Sequence, residues 1–147
     1  MVDAAHSHNV HEPPSGFIWK YIFSKDHKII GIQYYLLALF SVFVGMGLSV
    51  LIRLNLVWYG TEFSILETLF PGGAPGGVMT PEFYLAMLTM HGTMMVFMVL
   101  TTAPQSGFGN YFLPIQIGAL DMAFPTLNML SFWFTFLSLI VLLAAFF

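Results

Sequence analysis

The sequence predicts an all-α integral membrane protein that crosses the bilayer with three transmembrane helices. Two observations carry this: 7% of the residues are charged against 58% hydrophobic, and the apolar residues fall into three long charge-free runs. Soluble domains carry about 25% charged residues to solvate their surfaces, so this chain cannot coat itself in charge. Long uninterrupted apolar runs are what a lipid solvent selects.

The first run, Ile29 to Ile52, holds 24 residues without a charge. At a rise of ~1.5 Å per residue it makes roughly 36 Å of helix, enough to cross with some tilt; the first helix is expected over about 29–56. The second run, 83–103, follows Pro81 and Glu82, which suit a first helical turn, and is expected to stop at Pro104. The third, 127–147, is entered from Pro125 and ends inside the apolar run, with no Trp, Tyr, Lys or Arg at the interface. That ending predicts an amino-terminal part of a longer protein.

Residues 1–28 read as a polar tail and 29–147 as the membrane domain. The tail lacks the apolar core of a cleavable signal, so the first span is expected to do the targeting. Its His6, His8 and His11 make a weak metal-binding array in a polar segment. Lys20, Lys25 and Lys28 precede the first span, whereas the connection from Trp58 to Glu82 has no basic residue. The bias places the amino terminus on the inner side, cytoplasmic or matrix. The connection between the first two spans then lies outside, with a flexible turn at Pro71 to Gly77, and a loop from Pro104 to Thr126 lies inside.

With no cysteine in the chain, disulfides, iron–sulfur clusters and thiolate zinc sites are excluded. Four Lys and Arg with a net charge of −3 leave nucleic-acid binding without an electrostatic footing. The lipid membrane is the expected surrounding partner.

Within the three runs the one imidazole is His91, and an ionisable group inside the membrane is a functional candidate by default. A neutral histidine bonded to a neighbouring helix accounts for it equally on position alone. Met87, Met94, Met95 and Met98 share its helical face, a soft wall suited either to helix packing or to a porphyrin edge. In the first span Ser41, Gly45, Ser49 and Arg53 recur every four residues. This small-residue groove ending in a cation admits a neighbouring helix or a flat ring. Asp121, Asn110 and Asn128 gather near the inner surface, where a carboxylate and two amides fit either a solvated turn or a proton entry point.

Taken in order, several blocks resemble subunit I of the cytochrome c oxidases, members of the haem-copper respiratory oxidase superfamily. They are Asp26-His27-Lys28, Leu51-Ile52-Arg53, Met90-His91-Gly92, Gly107-Phe108-Gly109-Asn110, and the stretch Gly118 to Pro125 with Ser131-Phe132-Trp133. The resemblance covers nearly everything after residue 25. It implies the opening helices of a twelve-helix bundle. In it His91 is an axial ligand of a low-spin haem, haem a by preference, and Arg53 contacts that haem's periphery. Tyr84 lies in the same outer region, and Gly45, Ser49 and Met95 border the ring. Asp121 becomes the mouth of a proton-uptake channel lined by Asn110 and Asn128.

The resemblance further implies a high-spin haem and copper held by later helices, so this segment by itself contains no catalytic residue and is not expected to be active. The implied partners are the remaining helices of subunit I, oxidase subunits II and III, and cytochrome c. The implied activity is electron transfer from cytochrome c to dioxygen, giving water and pumping protons; the longer outer loop and the tail point to a bacterial inner membrane rather than a mitochondrial one. A quinol oxidase of the same superfamily and a non-catalytic anchor subunit are the alternatives; Val44 and Leu48, apolar where quinol oxidases tend to carry an acid and a base, favour cytochrome c. Two departures stand out. Asn55 replaces a frequent acidic ligand of the family's outer metal site, which is therefore not expected, and Thr126 replaces a usual arginine.

Overall fold

A computed structural model describes residues 16–145, so His6, His8 and His11 lie outside the described residues. Every regular element among the described residues is helical. A five-residue helix, α1 (Phe17–Tyr21), leads into the first span, α2 (His27–Val57). Asp26 caps α2: its carboxylate accepts from the Lys28 N–H at 2.9 Å, satisfying one of the amides that a helix start leaves unpaired. The span therefore begins at His27, two residues before the charge-free run, and brings that imidazole into the helix.

The connection at the far end is more structured than a flexible turn. It contains α3 (Ser64–Leu69) and a 3₁₀ turn at Pro75–Gly77. The Phe63 N–H donates to the Gly77 carbonyl at 2.9 Å, and the Thr80 N–H to that of Gly73 at 3.0 Å. Gly77 has φ +78°, and a Cβ there would stand 2.8 Å from the Phe63 nitrogen, so glycine is required at this closure.

Thr80 caps the second span and Pro81 fills its first turn. The span opens as α4 (Pro81–Thr93), continues as a π-wound segment, Met94–Phe108, and closes as α5 (Gly109–Gln116). This corrects the expected stop at Pro104 and the inner loop drawn from it. Proline removes one N–H and clashes with the carbonyl four residues back in a regular α-helix; wider turns relieve that constraint. The hydroxyls register the change. Thr89 donates to the carbonyl four residues back, Leu85, whereas Thr101 and Thr102 reach five back, to Val96 and Phe97.

The actual terminus of the second span is a Schellman motif. Gly118 adopts φ +71°, its N–H meets the Ile115 carbonyl at 3.2 Å, and the Ala119 N–H meets that of Pro114 at 2.9 Å. A short turn then leads to the third span, α6 (Pro125–Ala144), with Pro125 in its first turn. These three helices are each long and apolar enough to cross a membrane.

The spans run up, down and up. His27 at the start of α2 meets Asn110 near the end of the second span, and Gly31 lies so close to it that a Cβ would stand 3.0 Å from the Tyr111 nitrogen. Tyr34, 1% exposed, joins α2 to α6 by a 2.9 Å hydrogen bond between its hydroxyl and that of Ser131, with an edge-on contact to Phe132. Ile30, Tyr34, Leu48, Met87, Met94 and Leu139 belong to the buried core, while the outward faces carry a wide apolar surface.

Candidate functional site

The site starts from α2, where Ser41 is fully buried and turns its hydroxyl back to the Leu37 carbonyl, 2.9 Å away. With its polar group satisfied within its own helix, Ser41 presents only a small surface to the neighbour. Gly45, one turn on, is buried too. A Cβ at Gly45 would lie 2.7 Å from the Met95 sulfur and 3.9 Å from His91 Nδ1, so the missing side chain is what lets the second span approach here.

That approach gives His91 its partner. Its Nδ1 lies 2.9 Å from the Gly45 carbonyl oxygen. A carbonyl only accepts, so Nδ1 carries the hydrogen, and in the neutral ring Nε2 keeps its lone pair. No protein group bonds Nε2 among the described residues. An imidazole oriented through one nitrogen to a backbone carbonyl, with the other free, is the usual state of a metal-ligating histidine. His91 is half-buried, between the buried Met87 and Met94 and an apolar surface open to a further partner. The donor set fits one axial bond to a haem iron. Among the described residues no three His, Cys, Asp or Glu side chains gather as a metal cage.

The methionine face divides. Met87 and Met94 are 0% exposed and Met98 is buried, which is core packing, whereas Met95 stays half-buried beside Gly45 and shares the surface with His91. Further along α2, Ser49 is half-buried and Arg53 exposed; no hydrogen bond engages the Arg53 guanidinium among the described residues. Tyr84 is half-buried two turns before His91. The groove thus brings Gly45, Met95 and His91 together and leaves Arg53 and Tyr84 apart from them.

At the opposite end, Asn110 lies on α5 rather than in a loop, and is 7% exposed. Its amide nitrogen donates to the Ser106 carbonyl at 2.6 Å, and its backbone carbonyl accepts from the buried His27 ring, whose Nδ1 is 3.0 Å away. Asn110 Oδ1 and, on α6, Asn128 Nδ2 are buried with no protein partner. Buried amide atoms of this kind call for bound water, because an unsatisfied one costs ~1–3 kcal/mol. Asp121 lies in the turn after the Schellman motif, is exposed, and accepts the Met122 N–H at 2.7 Å through Oδ1. Among the described residues no direct hydrogen bond links Asp121, Asn110 and Asn128.

Sequence reasoning missed His27 as a buried participant. The signal was present in Asp26, a favoured helix cap, which puts the next residue inside the helix.

Comparison with known proteins bears on both ends of the bundle. The family described as cytochrome c and quinol oxidase polypeptide I matches residues 29–147. The chain is 42% identical over 134 residues to the alternative cytochrome c oxidase subunit 1 of Bradyrhizobium diazoefficiens, covering 91% of this chain and 20% of that protein. It is 39% identical over 124 residues to cytochrome c oxidase subunit 1 of Thermostichus vulcanus, covering 83% and 20%. With cytochrome c oxidase subunit 1 of Cereibacter sphaeroides it shares 36% over 145 residues, covering 90% and 25%. The chain therefore spans a fifth to a quarter of the length of these relatives. With 119 matched residues, three membrane-crossing helices and an oriented intramembrane imidazole, this chain belongs to the cytochrome c and quinol oxidase polypeptide I family.

Proposed function

We propose that this chain supplies the first three helices of the catalytic subunit of a terminal respiratory oxidase. That subunit takes electrons from cytochrome c, passes them through a low-spin haem to a haem-copper centre, and reduces dioxygen to water with proton pumping. The observation that carries the reading is the hydrogen bond from His91 Nδ1 to the Gly45 carbonyl, which orients Nε2 for an axial bond. Residues 29–147 act as the membrane unit, and 1–28 as its polar tail.

A low-spin haem, haem a in this reading, would be held by His91 from this chain and by a residue of a later helix, and would supply one-electron transfer when bound. This chain contributes orientation and exclusion. Gly45 would serve the ring by letting the two helices close so that His91 is held, Ser49 and Met95 would border it, and Arg53 and Tyr84 would contact its periphery. A guanidinium beside a haem favours the reduced form, because it opposes removal of an electron. High-spin haem and copper are held by later helices, which, with subunits II and III and cytochrome c, complete the set of partners.

Protons enter at the inner end. Asp121 Oδ1 is engaged by the Met122 N–H, so Oδ2 is the oxygen that takes up a proton from the aqueous phase. Asn110 Oδ1 and Asn128 Nδ2, acceptor and donor, hold the water that continues the path. The three lysines ahead of α2 support an amino terminus on the inner side of the membrane, which in this reading is a bacterial inner membrane. Val44 and Leu48, where a quinol site would call for an acid and a base, support cytochrome c as donor.

The optical spectrum of the assembled complex carrying His91→Ala tests the reading: the low-spin haem band should disappear, and an unchanged band would refute it.

A further inference from the structure

On the outward side of α2 and α6 runs an apolar groove of about 450 Å³. Leu36 and Phe40 wall it from α2, Ile140 and Leu143 from α6; Leu139 lies at its buried floor, and Gln33 is its one polar residue. Along α6 the lining runs from 132 to 143, about 16 Å of helix, and half of a ~30 Å hydrocarbon core is about 15 Å. The groove therefore has the length of a single leaflet.

The polar end of this groove faces the amino-terminal segment. Gln33 donates its side-chain amide to the Tyr21 and Ile22 carbonyls, and Phe23 stacks on Trp133 of α6 with ring centroids 5.1 Å apart. The segment is thus tied across the groove's mouth. It carries exposed Lys20 and Lys25, followed by exposed Lys28, so three of the chain's four basic residues stand at this end. The facing acids are Asp26, whose carboxylate caps α2, and Asp121, whose carboxylate accepts the Met122 amide. Each accepts one backbone N–H through Oδ1 and keeps its charge, so the three lysines outnumber the two acids at this end.

From this juxtaposition we infer that the α2/α6 groove is a binding site for an anionic phospholipid of the inner leaflet, one acyl chain in the groove and the headgroup phosphate among Lys20, Lys25 and Lys28. The groove supplies apolar burial along a full acyl chain, and the lysines supply the charge complement that a zwitterionic lipid does not satisfy as well. Each basic residue near an anionic surface contributes on the order of 1 kcal/mol, so losing two of them should lower preference for the anionic lipid by roughly tenfold or more. This inference rests on the three-helix arrangement and not on the haem assignment.

The test uses the assembled oxidase in nanodiscs containing a phosphatidylglycerol with a photoreactive group at the end of one acyl chain. After illumination, adducts should map to peptides containing Phe40 or Leu143, and unlabelled phosphatidylglycerol should compete better than phosphatidylcholine by about tenfold or more. Lys20→Gln with Lys25→Gln should abolish that difference while leaving the haem spectrum intact, and Leu36→Trp should suppress the adduct by filling the groove. Equal competition by the two lipids in the unmodified complex would overturn the inference, as would adducts absent from both peptides because another helix fills the groove.

Discussion

His91 Nδ1 and the Gly45 carbonyl oxygen stand 2.9 Å apart, so the orientation of the second span's imidazole is set by the backbone of the first. The contact depends on a residue with no side chain, since a Cβ at Gly45 would meet the Met95 sulfur at 2.7 Å. Helix packing and imidazole orientation are one feature here: whatever separates the two helices also turns the imidazole.

Gly45→Val is therefore expected to lower turnover of the assembled oxidase on the order of tenfold, the size of effect that follows loss of a histidine's orienting bond, and to shift the low-spin haem band. Gly47→Ala is the control, because a Cβ there meets nothing within 4 Å. Spectra and oxygen-consumption rates of the two variants decide the matter; equal behaviour would sever the link between packing and ligand.

The three spans were legible because lipid imposes a coarse rule on composition, and His91 stood out because that rule makes an imidazole costly. Asn110 was misplaced for a specific reason. Pro104 reads as a stop when only α-geometry is considered, yet a π-wound stretch carries the helix through it to Gln116. Gly118, which in fact closes the helix with φ +71°, was the better signal. The pairing of His27 with Asn110, 83 positions apart, follows from the antiparallel return of the second span and has no trace in local sequence.

That pairing yields a stability prediction. His27 is 3% exposed and its Nδ1 donates to the Asn110 carbonyl at 3.0 Å. His27→Ala leaves a buried carbonyl without its partner and should cost ~1–3 kcal/mol. Thermal unfolding of the complex in detergent should register the loss. His27→Gln, whose amide can still donate, should recover part of it.

A second stability test concerns the third span. Tyr34→Phe removes the hydroxyl that meets Ser131 at 2.9 Å while keeping the ring against Phe132. The expected cost is about 1 kcal/mol. In a double-mutant cycle with Ser131→Ala the second substitution should add little, because both delete the same bond. Additive losses would mean that the two hydroxyls act independently.

Asp121 permits the sharpest separation of structure from chemistry. Its Oδ1 accepts the Met122 N–H at 2.7 Å, and asparagine retains a carbonyl oxygen for that bond. Asp121→Asn thus preserves the turn between the Schellman motif and α6 while removing the oxygen that can take up a proton. Turnover in proteoliposomes is expected to fall on the order of tenfold or more, within the range that one proton-transferring group contributes, with fewer protons pumped per electron. The low-spin haem spectrum should not change, because His91 and Gly45 lie well inside their helices, away from the turn that holds Asp121. Asp121→Glu should restore much of both rates, since it returns a carboxylate at nearly the same place. Normal turnover and pumping in Asp121→Asn would show that protons enter elsewhere and that Asp121 serves the turn alone.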